Sequence, residues 1–408
     1  MTATRSAIPR VIASEAVSNF GSMLSRLAIP WLATLALQAT PAQMAALLVA
    51  DVGAAALASL LLGGWVDGSG KRAVMLMADA ARAAVLGLLA LAAWQGWISF
   101  AGLLLAAAAS GVLTVVFELA RSAWMAQRVP VDDLPRRNAQ LSVAGSLSET
   151  AAFALGGWLY QWLGAVGALA MDGASYLGSA WCLRGVPEVP GSARTAAAGT
   201  SAWRVWRSET AQGLHAIASR QALRALAVVE GLLAFSGALS GTAYMIFVSR
   251  DIGLPTGQLG MIFAMGGLGS VLGAALAPRL GRHFGSGRTM ALGLAVYTLG
   301  IMCVPLVPAA GGLAIGLLLG QQIVGDAGHA LYGVHDRTLR QTAVPPALLA
   351  RADAGIRSVG QAATLAGALA GGAIGSALDA RAVLWCAVVF AGLAAAWAAW
   401  RLAERRPG

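Results

Sequence analysis

Apolar runs of 18 or more residues recur along the whole chain. Each is long enough to cross a hydrocarbon layer of about 30 Å as a helix. Of the 408 residues, 58% are hydrophobic, 11% are charged and 51 are glycine, whereas a soluble chain carries about 25% charged residues. The chain therefore reads as an all-α polytopic membrane protein. Twelve spans are expected, at about 11–37, 43–66, 73–94, 98–120, 138–161, 164–186, 222–248, 256–278, 289–309, 311–335, 355–378 and 382–402.

The first span stays in the mature chain, because Glu15, Asn19 and Arg26 make it too polar for the core of a signal peptide. Placed by loop, 24 of the 28 cationic residues fall on one side. Arg26 and Arg82 lie inside spans, and only Arg250 and Arg381 fall opposite. That bias puts both termini in the cytoplasm. The net charge of +10 resides in short loops, where it fixes topology and meets anionic headgroups, so no nucleic-acid partner is expected. Cys182, Cys303 and Cys386 sit in separate spans without metal-ligand spacing and read as small packing residues. Neither a metal nor any other cofactor is expected.

Residues 187–220, opening "PEVPGSARTAAAGTSAW", form a small-residue linker. They divide a six-span bundle, 1–186, from a second, 221–408. Within the linker, "WRVWRSETAQGLHAIASR", with Trp203 and Trp206, fits an amphipathic helix lying on the membrane. An offset of 215 residues superposes the halves: Val129-Pro130 falls on Val344-Pro345, Leu134 on Leu349, Arg136 on Arg351 and Gly156-Gly157 on Gly371-Gly372. Two pseudo-symmetric six-helix bundles in parallel orientation follow.

Between spans 2 and 3 the chain reads Gly63-x3-Asp67-x2-Gly70-Lys71-Arg72. This resembles the loop signature of the major facilitator superfamily. The segments "LAIPWLATLALQATPAQ", "VPVDDLPRRNAQ" and "MDGASYLGSA" are similar to its bacterial exporter branch, which includes macrolide-efflux and enterobactin-export proteins. The resemblance implies the major facilitator fold and alternating access. It also implies that Asp67 and the adjacent cations bridge neighbouring helix ends and favour the outward-open state. The glycines suit a tight turn and close helix approach. The corresponding stretch of the second half, "APRLGRHFGSGR", has no acid.

Ionisable residues inside spans are costly and mark function by default. Glu15, Asn19, Ser22 and Arg26 share one face of span 1. Glu15 falls on Glu230 after the offset, an acidic pair toward the cytoplasmic ends of spans 1 and 7. Each acid either faces the pathway or bonds a nearby helix end or loop arginine. Asp51 lies as deep as Arg26 across a hairpin, so an ion pair is expected. Glu149, in span 5 and without a cation nearby in its own span, is the foremost proton carrier, with Glu15, Glu230 and Asp326 as further candidates. His329, one turn after Asp326, either relays protons or bonds a helix neighbour. Asp172 reads as structural, and Asp79, Arg82, Glu118 and Arg121 as a charge lattice supporting the loop. Trp31, Phe117, Tyr244 and Phe247 are candidates for the cavity wall and equally good packing residues.

No nucleotide-binding G-x4-GK[ST] loop and no catalytic constellation is present in the sequence. The reading is a secondary transporter, not an enzyme. It is expected to export a small amphipathic or hydrophobic compound, drug- or siderophore-like, in exchange for protons across a bacterial inner membrane, as a monomer in the lipid bilayer. A lipid or lysolipid flippase and an uptake carrier stay open beside it, and further off a membrane-embedded enzyme or receptor.

Overall fold

The computed structural model of the chain describes residues 2–130, 133–191, 211, 215, 217–344 and 346–402. Twelve helices account for nearly all of them. α1 (Thr2–Trp31) continues into a π-helical turn, Leu32–Ala36. α2 is Pro41–Gly68, α3 Lys71–Trp94 and α4 Phe100–Arg128. The element Leu134–Leu183 is broken at Gly164 into α5 and α6. α7 (Gln221–Met245) ends in a π turn, Ile246–Asp251, before α8 (Thr256–Phe284) and α9 (Ser286–Met302). α10 is composite, Gly312–Gly320 and Asp326–Ala343 joined by the π turn Gln321–Gly325. α11 is Pro346–Ala377 and α12 is Ala380–Leu402. Most of the linker, including Trp203 and Trp206 of the expected amphipathic helix, lies outside the described residues.

The helices follow the expected spans, and the breaks have local causes. Gly164 has φ +64°, a left-handed conformation that side chains resist, so one long helix turns back as two. Pro30 removes one backbone donor just before the wider turn at Leu32. Among the described residues, six helices are by length and composition apolar enough to cross a membrane unaided: α2, α3, α4, α7 with its π turn, α8 and α12. Of the others, α9 is only 17 residues long, and the rest carry interior charges, such as Glu15 and Arg26 in α1 and Asp353 and Arg357 in α11, or a break or π turn.

The chain clusters into two compact units. Unit 1 holds Met1–Gln38, Val49–Val205 and Pro255–Gly260; unit 2 holds Ala39–Leu48, Trp206–Leu254 and Met261–Gly408. In unit 1, α1 lies along the α5–α6 pair and α3 against both that pair and α4, around Met75, Phe117, Trp124 and Leu183. In unit 2, α7 packs on α11 and α12, and α9 on α10 and α12, around Leu226, Leu294, Tyr332 and Ile356.

The internal repeat reaches detail finer than helix count. The π turn ending α1, residues 32–36, corresponds after the 215-residue offset to 247–251, nearly all of the π turn ending α7. Gly157 meets the backbone of Thr256 and Gly260 within unit 1, and its counterpart Gly372 meets Ala42 and Ala45 within unit 2.

Close backbone approach sets the packing of α10. A methyl on Gly269 of α8 would collide with the Ile323 carbonyl, one on Gly273 with the Ala327 carbonyl and one on Gly300 of α9 with Gly325. In lipid such contacts bring helices near enough for dispersion and backbone dipoles to hold them. Gly237 has nothing within 4 Å. Gly300→Ala is therefore expected to lower the thermal midpoint of the purified protein in detergent, by an amount corresponding to about 1–3 kcal/mol. Gly237→Ala is expected to leave it unchanged or raise it.

Candidate functional site

The polar face of α1 is used to seat that helix in unit 1. Glu15 pairs with Arg121 of α4 at 2.9 Å, both largely shielded. Asn19 Nδ2 donates to the Gly145 carbonyl of α5 at 3.0 Å. The Ser22 hydroxyl donates to the Ser18 carbonyl at 3.0 Å and lies 3.1 Å from the Tyr176 hydroxyl of α6. Arg26, one further step along, is exposed.

The expected Arg26–Asp51 ion pair does not close among the described residues. The charge of Arg26 reaches Asp51 only at longer range. Equal depth on two helices does not fix their azimuth, and Asp51 turns toward α4, where Gly111 lies against its carbonyl and carboxylate.

Behind this face is a fully buried charge lattice. Arg82 of α3, 2% exposed, pairs with Asp79 at 2.5 Å. Its guanidinium also lies over the rings of Tyr176 and Phe117, 4.3 and 4.8 Å from their centroids. Ser179 of α6 donates to the other Asp79 oxygen at 2.6 Å and touches Ser14 of α1 at 2.7 Å. Asp172 accepts from Ser25 and from Ser175, which gives it a structural role. Phe117 is thus a ring beneath a guanidinium and not a cavity wall. Trp31 and Phe247 are corrected likewise: Trp31 is buried against Tyr160 at 5.2 Å, and Phe247 lies buried under Arg381 at 5.2 Å.

The loop between α2 and α3 is held differently from expectation. Lys71, 1% exposed, donates to the carbonyls of Val66 and Asp67 at 2.7 Å and of Ser69 at 3.0 Å. Arg72 crosses to the end of α6, donating to the Leu183 and Arg184 carbonyls at 3.0 and 2.7 Å. The acid in the arrangement is Glu188. Its carboxylate accepts from the Arg72, Ala73 and Val189 backbone N–H groups at 2.9, 3.1 and 3.0 Å. It thereby caps the positive end of α3, while Arg128 and Trp124 of α4 hold the Glu188 and Pro187 carbonyls. Asp67 is exposed, and no side-chain partner holds its carboxylate among the described residues. Gly63 borders open space, so close approach does not require it; Gly70 faces Glu188 at a Cβ distance of 3.0 Å. Glu188 was not singled out in the sequence, and its only signal there is the flanking Pro187 and Pro190.

Unit 2 carries two clusters. Glu230 of α7 meets Arg340 of α10 at 3.2 Å, and Arg340 also holds Asp336 at 2.9 Å and Asp353 of α11 at 3.8 Å. Glu15 and Glu230 therefore both meet an arginine on the fourth helix of their own half, as the simpler of the two sequence readings has it. Farther along α10, Tyr244 of α7 donates to Gln321 at 3.4 Å, Gln321 to Gln322 at 2.6 Å, and Gln322 to the Phe263 carbonyl of α8 at 3.2 Å. Asp326 packs against Gly266 beside Gln322, and the His329 ring lies 5.6 Å from that of Tyr297. The glutamine pair was missed in the sequence, where two adjacent amides inside an apolar span were the available signal. Glu149 is exposed on α5. Among the described residues no His, Cys, Asp and Glu gather in a metal-binding group.

The Major Facilitator Superfamily profile matches residues 11–352. The chain belongs to this superfamily. It is a multi-pass membrane transporter and not an enzyme. A relative, the uncharacterized MFS-type transporter y4rN of Sinorhizobium fredii (strain NBRC 101917 / NGR234), is 28% identical over 306 residues, 72% of this chain and 71% of that one. Among solved structures, a bacterial homologue of the iron transporter ferroportin in an inward-facing state matches with TM-score 0.77 at 16% identity, over 98% of this chain and 99% of that one. A mutant of the nucleoside transporter NupG matches with TM-score 0.73 at 14% identity, over 97% and 98%. An auto-inhibited POT family peptide transporter matches with TM-score 0.74 at 15% identity, over 98% of each. At these identities the likeness establishes the fold.

The loop geometry separates two acids of this transporter. Glu188→Gln is expected to lower the thermal midpoint, because three N–H groups and the α3 terminus lose a charged acceptor. Asp67→Asn is expected to leave stability within about 0.5 kcal/mol of wild type. Thermal unfolding of both variants in one detergent checks the pair.

Proposed function

We propose that this transporter exports a small amphipathic or hydrophobic compound across a bacterial inner membrane by alternating access, with both termini cytoplasmic and protons entering in exchange. The one-sided distribution of cations supports the orientation. The solved transporters of this fold are named for iron, nucleosides and peptides, so the fold is neutral as to substrate.

The observation that carries proton coupling is the crowding of Glu230, Asp336 and Asp353 around the single guanidinium of Arg340. Three carboxylates facing one cation leave the cluster short of positive charge, and a proton is the smallest charge that can correct it. Glu230 is placed to take it: its side chain is 34% exposed, and its bond to Arg340 joins α7 to α10. Protonation of Glu230 frees Arg340 for the remaining two acids and loosens the α7–α10 contact; loss of the proton restores it. Helix contacts thereby follow proton occupancy, as coupled transport requires. Glu15–Arg121 is the counterpart in unit 1, where Arg82 and Asp79 already form a closed pair beside it. Glu149 is the competing carrier.

In proteoliposomes loaded with a panel of fluorescent amphipathic dyes, Glu230→Gln is expected to reduce pH-driven uphill transport at least about tenfold while exchange between equal pools continues. Glu149→Gln, measured in parallel, is expected to keep most of the pH-driven transport. Wild-type accumulation by Glu230→Gln sinks this assignment, and loss in Glu149→Gln alone returns the role to that residue.

A further inference from the structure

We propose that the polar cluster on the π turn of α10 is a recognition site for an organic cation, the protonated amine of an amphipathic compound. The inference rests on the chain being a transporter and is independent of the proton-coupling assignment.

The π turn Gln321–Gly325 creates the cluster. In a regular α-helix, side chains five residues apart point about 140° away from each other. In a π turn the backbone bonds close over five residues, so such side chains stack on one side. Gln321 and Asp326 stand in that relation, and an amide and a carboxylate that a straight helix would separate share a face. Gly266 of α8 makes room for Asp326 and for Gln322, the amide bonded to Gln321: a methyl there would fall on Asp326 Oδ2 and close to Gln322 Nε2.

The groups in reach are one carboxylate, two amides, a phenol and rings, and the amide and phenol donors are already spent on one another and on a backbone carbonyl. Gln322 directs its Nε2 to the Phe263 carbonyl at 3.2 Å, and its Oε1 receives Gln321 Nε2 at 2.6 Å. The Tyr244 hydroxyl reaches Gln321 Oε1 at 3.4 Å, and the Tyr244 ring lies 5.6 Å from that of Phe263. Gln321, Asp326 and Tyr244 are half-buried, open enough to be met and shielded enough for charge to matter. Segments 225–249, 256–278 and 289–336 of α7 to α10 contain no lysine or arginine. An anion would thus meet a carboxylate without any cation from these stretches, whereas an ammonium meets a carboxylate, an amide oxygen and aromatic faces that attract positive charge.

The test uses the purified full-length protein in detergent with three probes of one shape: 1-naphthylmethylamine, 1-naphthalenemethanol and 1-naphthaleneacetic acid, titrated calorimetrically at neutral pH. The amine is expected to bind at least about tenfold more tightly than either of the others. Asp326→Asn is expected to abolish that preference while binding the alcohol as the wild type does. Gln321→Met is expected to weaken the amine about threefold and spare the alcohol. Equal binding of the three probes, no binding of the amine, or an undiminished preference in Asp326→Asn overturns the proposal. Should Asp326→Asn yield no folded protein, the wild-type ranking and Gln321→Met decide. Because titration needs no proton gradient, failure here and failure of Glu230 coupling give different results.

Discussion

Hydrocarbon offers helices no apolar reason to associate, so both units depend on how closely their backbones can approach. In unit 2 this constraint governs α10. Gly269 and Gly273 of α8 and Gly300 of α9 receive its backbone directly, and the π turn lies within that grip. A wider helical turn leaves backbone groups less regularly bonded; here two helices at glycine distance cover the backbone at Gln322, Ile323 and Gly325, while Val324 stays exposed. The polar side chains of the turn, Gln321 and Gln322, are positioned by the same contacts.

The units treat buried charge in contrasting ways. Arg82 in unit 1 has one carboxylate and two flanking rings, and the Ser179 hydroxyl completes its partner, so one acid answers one cation, although its Nε finds no acceptor among the described residues. Breaking such a pair costs about 3–5 kcal/mol, because one charge is left uncompensated. Arg340 in unit 2 is outnumbered by its acids. The first arrangement suits a scaffold, and the second suits a joint that changes with occupancy.

Helix number and the internal repeat were legible in the sequence because hydrocarbon imposes a length and an apolarity that few chains meet by accident. The repeat even anticipated that Glu15 and Glu230 occupy equivalent settings. What could not be read was rotation about helix axes. Arg26 and Asp51 share a depth yet fail to pair, since depth follows from counting residues and azimuth from packing. Trp31, Phe117 and Phe247 illustrate the same limit: an aromatic residue in a span has the same sequence signature whether it lines a space or fills one. Glu188 lay beyond reach for another reason. Its partners are backbone N–H groups, and these leave no trace in residue identity.

Lys71 is the only lysine in the chain, and its ammonium is enclosed by three carbonyls at the end of α2. Apart from four histidines, every other cationic side chain is a guanidinium. Guanidinium does not lose its proton in proteins and grips phosphate through two parallel hydrogen bonds. The arginine charge of this protein is accordingly the same in acidic and alkaline surroundings, a fixed frame against which the carboxylates and histidines change. The same arithmetic makes the folded chain nearly inert to amine-directed reagents, because its sole side-chain primary amine is buried.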